Sequence, residues 1–102
     1  MSDTKGTAVV TGASSGIGAI YADRLAERGY DLVLVARSGN KLAELAGHIR
    51  AKTGRKVNVM QADLADPTDL AYVENFLKTA SDVTMLVNNA GLGGALSLLR
   101  RP

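Results

Sequence analysis

Apolar residues fall along this chain in short blocks that alternate between two spacings. "TAVVT" (7–11) is a compact β-branched run. "LVLVA" (32–36) is apolar without alternation, the pattern of a strand covered on both faces. "VNVMQ" (57–61) alternates in part, which suits a sheet edge, and "VTMLV" (83–87) closes the series. Between the first two blocks, Ile17, Ile20, Tyr21 and Leu25 recur at helical spacing over 17–28, and Gly29 stands where that helix would stop. Leu42, Leu45, Ala46 and Ile49 mark a second amphipathic helix that Gly54 ends. "DPTD" (66–69) reads as a third helix start. Asp66 caps, Pro67 fits the first position and Asp69 complements the dipole, while Leu70, Val73 and Leu77 carry the buried stripe.

The order β-α-β-α-β-α-β with short links predicts a parallel sheet with helices on its faces. With right-handed crossovers and a strand order of 3-2-1-4, the first two helices share one face and the third crosses to the other. The carboxyl ends of strands 1 and 4 then meet at the switch point, where open sheets of this kind bind ligands. The fold class expected is α/β: a partial Rossmann-type doubly wound parallel sheet with three crossover helices, one half-domain over residues 1–102.

Composition narrows the chemistry. The chain has 102 residues, 46% hydrophobic and 22% charged, with a net charge of +2. That is an ordinary globular balance for a single domain. No basic block precedes Arg100-Arg101, so nucleic acid is not an expected partner. The absence of cysteine excludes disulfides, thiolate metal sites and a cysteine nucleophile. No run of 18 apolar residues offers a membrane span, and "MSDTKGT" lacks the apolar core of a signal peptide; a cytoplasmic protein is expected. His48 is the one histidine of the sequence and reads as part of a solvated helix face, so no metal site is read there. Glu27, Glu44 and Glu74 lie on separate helices, which argues against a paired-carboxylate site, and Met60 and Met85 are assigned to the core.

"VVTGASSGIG" (9–18) is where chemistry enters. Gly12, Gly16 and Gly18 lie between the first strand and the first helix. The free N–H groups and positive dipole end of that helix form an anion site. Gly12 allows the tight turn, Gly16 lets a pyrophosphate approach the backbone, and Gly18 lets helix and sheet pack closely. Ser14 and Ser15 add hydroxyl donors. The alternative is a plain strand–helix turn. A P-loop fails, because Ala19 and Ile20 follow the last glycine instead of Lys-Ser or Lys-Thr.

"TGASSGIG" (11–18), "ADL" (62–64) and "NNAG" (88–91), in this order and spacing, resemble the short-chain dehydrogenases/reductases. The resemblance runs at least to Gly91. It implies that Gly12, Ser14, Ser15, Gly16, Ile17 and Gly18 cradle the pyrophosphate of a dinucleotide. After the second strand, Ala36-Arg37-Ser38 offers no acid for the adenosine ribose. Arg37 can instead pair with a 2′-phosphate, so NADP(H) is favoured over NAD(H); the alternative is a surface arginine. Some NADP-dependent relatives carry a second basic residue in the glycine loop, where this chain has Ser15. Asp63 resembles the family's aspartate that accepts from the adenine amino group, with Leu64 packing nearby; the alternative is a turn residue. Ala90 and Gly91 would pass under the cofactor ribose, with Asn88 and Asn89 fixing the loop, a stretch that also reads as a simple turn.

The family's catalytic tyrosine, with a lysine four residues on that favours the phenolate, has no counterpart here. Tyr21, Tyr30 and Tyr72 are followed at that distance by Leu25, Leu34 and Phe76. No catalytic residue is therefore assigned. The expectation is an amino-terminal, cofactor-binding half of a longer oxidoreductase that reduces carbonyls or oxidises alcohols, truncated after the fourth strand and silent alone. Self-association through the open sheet edge accompanies it. The competing reading is a non-catalytic nucleotide-binding or assembly module.

Overall fold

Every residue of the first strand, β1 (Thr7–Thr11), is buried, and the molecule is layered around it. The computed structural model describes residues 5–14 and 16–89. Seven elements follow in order: β1, α1 (Gly16–Glu27), β2 (Asp31–Ala36), α2 (Gly39–Thr53), β3 (Val57–Gln61), α3 (Pro67–Thr79) and β4 (Val83–Asn88). The strands form one parallel sheet in the expected order β3-β2-β1-β4. β3 and β4 each have one strand partner among the described residues.

Alternate side chains of the central strands feed two cores. Ala8, Val10, Leu32 and Leu34 point to the face covered by α1 and α2, where they meet Ala22, Leu25, Leu42, Ala46 and Ile49. Val9, Val33 and Val35 point to the other face, where Val73 of α3 joins Ala62 and Leu64, with Leu70, Phe76 and Leu77 packed at the margin. The uninterrupted apolar run in β2 is therefore the signature of a strand buried on both sides. β3, with Asn58 and Val59 exposed, is the edge its partial alternation implied. Met60 and Met85 are half-buried against the two cores, and His48 is exposed on α2.

The helix ends follow the sequence signals. Asp66 caps α3, its carboxylate accepting from the Thr68 and Asp69 N–H groups, and Pro67 is the first helical residue. Gly54 closes α2 in the left-handed conformation. After α1, the Gly29 N–H donates to Ala26 O and the Tyr30 N–H to Leu25 O, each at 3.1 Å, the paired bonds of a Schellman ending.

One face differs from expectation. Ile17, Ile20 and Tyr21, which set the helical spacing of α1, are exposed by 62%, 55% and 48%. The buried residues are Gly18, Ala22, Leu25 and Ala26. Small residues at intervals of four bring the α1 backbone close to the sheet, and the larger side chains turn outward.

Candidate functional site

The carboxyl ends of β1, β2 and β3 open into a cleft of about 720 Å³, within the usual range for a small-molecule site. Its walls come from the segments that follow all four strands. Gly12 and Ser14 contribute from the turn after β1, and Arg37, Ser38 and Lys41 from the turn after β2 and the start of α2. Asp63, Leu64 and Ala65 contribute from the loop after β3, and Asn89 follows β4.

Main-chain bonds fix these loops to one another. Ala13, fully buried in the glycine turn, donates its N–H to Val35 O at 3.2 Å, and Ala62 donates to Ala36 O at 2.9 Å. The sheet's hydrogen bonding is thus prolonged past the strand ends on either side of β2. Gly12 has φ +65°, a conformation in which a side chain is strained, and it turns the chain out of β1. Thr11, also fully buried, ties in the fourth strand. Its hydroxyl donates to Asn88 Oδ1 at 3.0 Å and accepts from the Asn89 N–H at 3.0 Å. The Asn89 amide donates to Gly12 O at 3.3 Å.

The three glycines separate by physical cause. Gly12 answers a backbone conformation. Gly18 answers crowding: a Cβ there would strike the Gly12 carbonyl and lie 2.9 Å from Asn89 Nδ2 and 3.0 Å from Ala13 Cα. Gly16 has neither cause. Its φ is not positive, and a Cβ built on it meets no atom within 4 Å. No described part of the chain requires glycine at the head of α1. The space beside its main chain is open to a group from outside, and the first amides of a helix suit an anionic one.

Arg37 is exposed at the rim, and its guanidinium has no hydrogen bond or ion pair among the described residues. Its carbonyl accepts from Gln61 Nε2 at 3.0 Å. Ser38 lines the cleft and also caps α2, its hydroxyl oxygen accepting from the Lys41 N–H at 3.4 Å. Asp63 holds its own turn: Oδ1 accepts from the Ala65 N–H at 3.0 Å, while its N–H donates to Asp69 Oδ2 at 2.8 Å. Leu64 is buried in the α3-side core and closes the floor.

Of the residues singled out from sequence, Gly12, Ser14, Arg37, Ser38, Asp63 and Leu64 converge on this cleft. Gly16 and Gly18 stand behind it at the start of α1, and Ile17 faces solvent. Asn88 bonds Thr11 and does not line the cleft; its neighbour Asn89 does. Ser15, Ala90 and Gly91 lie outside the described residues. Lys41 and Gln61 were missed. Lysine four residues after Arg37, on the same end of α2, was the available signal for Lys41. Nothing local distinguishes Gln61 from any polar edge residue. Among the described residues, no cluster of three or more metal-ligating side chains occurs, and no helix is long and apolar enough to cross a membrane.

Comparison with known proteins agrees with this geometry. The profile of the short chain dehydrogenase family matches residues 6–100. A short-chain dehydrogenase from Sphingobium yanoikuyae, solved in complex with NADPH, shares 52% identity over 84% of this chain and 34% of its own, with a TM-score of 0.83. L-sorbose reductase from Gluconobacter frateurii, solved with NADPH and L-sorbose, shares 37% identity over 89% of this chain and 35% of its own, with a TM-score of 0.77. A very-long-chain 3-oxoacyl-CoA reductase from Yarrowia lipolytica is 38% identical over 87% of this chain and 23% of its own length. Human 17-beta-hydroxysteroid dehydrogenase type 3 is 39% identical over 83% of this chain and 27% of its own. The chain thus spans about a quarter of the length of these curated relatives.

Proposed function

Because the chain belongs to the short-chain dehydrogenase family, we propose that it forms the cofactor-binding part of an oxidoreductase that uses NADP(H) in preference to NAD(H), reducing a carbonyl or oxidising an alcohol. The observation that carries this reading is Gly16, a glycine whose absent side chain leaves space that nothing in the described chain occupies. Main-chain amides at the head of α1 and Ser14 would hold the diphosphate bridge. Asp63 would accept from the adenine amino group and Leu64 would pack against the adenosine. Arg37 and Ser38 would receive the 2′-phosphate. Asn89, held by Thr11 and Gly12, keeps the end of β4 against the glycine turn. The bound dinucleotide supplies hydride transfer at its nicotinamide ring; this chain's share is to bind and orient it.

The preference for NADP(H) rests on charge at the rim. The turn after β2 has no acid to accept from a ribose hydroxyl, and Arg37 offers an uncommitted guanidinium. The sequence contains no tyrosine with a lysine four residues on, so the 102 residues are expected to bind cofactor without turning over substrate. Both parts are tested together. NADPH and NADH binding to the chain is measured by titration, for the wild type and for Arg37→Ala, and NADPH oxidation is followed with a panel of ketones. NADPH binds more tightly than NADH, Arg37→Ala removes most of the difference, and no ketone is reduced above background. Equal affinity for the two nucleotides defeats the NADP(H) preference, no binding of either defeats the cofactor reading, and steady turnover defeats the claim of silence.

A further inference from the structure

α2 begins with a cation where helices favour an anion. Ser38 is its cap and Lys41 its third residue, the position at which a glutamate would complete a capping box and complement the dipole. The first turn of α2 contains no acidic residue. Lys41 is exposed and lines the cleft beside Arg37 and Ser38, and its ammonium has no hydrogen bond or ion pair among the described residues. Lys52, at the other end of the same helix, is placed as dipole and counter-charge dictate. It lies in the last turn, 2.9 Å from both Asp23 and Glu27. Helix stability therefore accounts for Lys52 and not for Lys41.

The segment carrying Lys41 is held in place. Gln61 donates to Arg37 O from β3, and the same amide group fills the space beside Gly39, with Oε1 at 2.7 Å from where a Cβ would stand. Ser38 Oγ accepts from the Lys41 N–H, which leaves the hydroxyl proton available to an incoming oxygen. Arg37 and Lys41 thus flank a donor on an anchored turn, and both face one cleft. A phosphate monoester carries about −1.5 to −2 charges at neutral pH, more than a single guanidinium neutralises.

We propose that Lys41 is a second cationic contact for the 2′-phosphate of NADP(H) and shares with Arg37 the discrimination against NAD(H). The inference rests on the cofactor reading above and adds a residue to it. Two pairs of probes isolate the phosphate: adenosine 2′,5′-bisphosphate against 5′-AMP, and NADPH against NADH. Each is titrated into the wild type, Arg37→Ala, Lys41→Gln and Lys41→Arg. Lys41→Gln weakens the bisphosphate and NADPH about tenfold, the scale of one charge-assisted hydrogen bond, and leaves 5′-AMP and NADH unchanged. Lys41→Arg retains the wild-type preference, and the salt dependence of NADPH binding becomes shallower in Lys41→Gln. If Lys41→Gln binds NADPH like the wild type while Arg37→Ala does not, the inference is wrong and the cofactor reading stands. If Lys41→Gln weakens all four ligands alike, the lysine serves the fold and the inference is again wrong. If the wild type fails to prefer the bisphosphate over 5′-AMP, the NADP(H) preference itself falls and takes the inference with it.

Discussion

The Asn89 N–H donates to the Thr11 hydroxyl at 3.0 Å, so a buried oxygen at the end of β1 fixes the first residue beyond β4. The same hydroxyl donates to Asn88 Oδ1. One side chain therefore sets the spacing between the glycine turn and the end of the fourth strand. Thr11→Val keeps the volume and removes these bonds, together with a longer one from the hydroxyl to Val87 O at 3.4 Å. It is expected to lower stability by about 1–3 kcal/mol in urea unfolding, the cost of displaced buried hydrogen bonds, with Thr11→Ser recovering most of the loss.

Gly16 and Gly18 separate fold from function in one experiment. Gly16→Ala meets open space at an ordinary φ, so stability holds or rises by up to about 1 kcal/mol while nucleotide binding falls. Gly18→Ala forces a methyl group against the Gly12 carbonyl, Ala13 and Asn89, and loses about 1–3 kcal/mol of stability together with binding. Thermal unfolding and NADPH titration on both variants check the pair. Loss of stability without loss of binding in Gly16→Ala would remove the main support for a ligand at the head of α1.

Asp66 accepts from two amides that would otherwise lack partners at the start of α3, at 2.8 Å from Thr68 and 3.4 Å from Asp69. Asp66→Ala is expected to cost about 1 kcal/mol by denaturant unfolding, and Asp66→Asn much less. Nucleotide affinity should be unaffected at temperatures where the variant is folded, because Asp66 does not line the cleft and its side chain bonds only the Thr68 and Asp69 amides among the described residues.

Lys52 bridges Asp23 and Glu27 on α1, one helical turn apart, and ties α1 to α2 at the protein surface. Hydrogen bonds to Asp23 and then Glu27 raise its pKa above the ordinary lysine value of 10.5. A raised folded-state pKa stabilises the fold fully below the unfolded value, and the contribution is lost as pH rises through the folded one. Lys52→Met should therefore lower the Tm slightly at neutral pH and low salt, and match the wild type at high salt or strongly alkaline pH.

Strand positions and both marked helix caps could be read from sequence because they depend on local chemistry, whereas the strand order came from the alternation of elements and the family resemblance. Asp66-Pro67 and Gly54 act within one turn of themselves, and the β2 run reports burial on both faces directly. The packing face of α1 could not be read by hydrophobicity. Ile17, Ile20 and Tyr21 have the larger apolar side chains, yet Gly18, Ala22 and Ala26 face inward because the helix lies too close to the sheet for bulk. Hydropathy rewards large apolar side chains, whereas this contact selects for small ones. Lys41 and Gln61 escaped for a different reason. Their roles exist only once β2, β3 and the start of α2 are brought side by side, a relation that no local window contains.

Residues 37–41 have a position that bears on redesign. On the proposed reading the glycine turn would address a ligand mainly through main-chain amides, which every residue but proline can donate, whereas this five-residue cassette would confront it with side chains at the solvent rim. Arg37, Ser38 and Lys41 lie outside both apolar cores. Transplanting an acidic counterpart of the cassette would redirect nucleotide choice without rebuilding the interior.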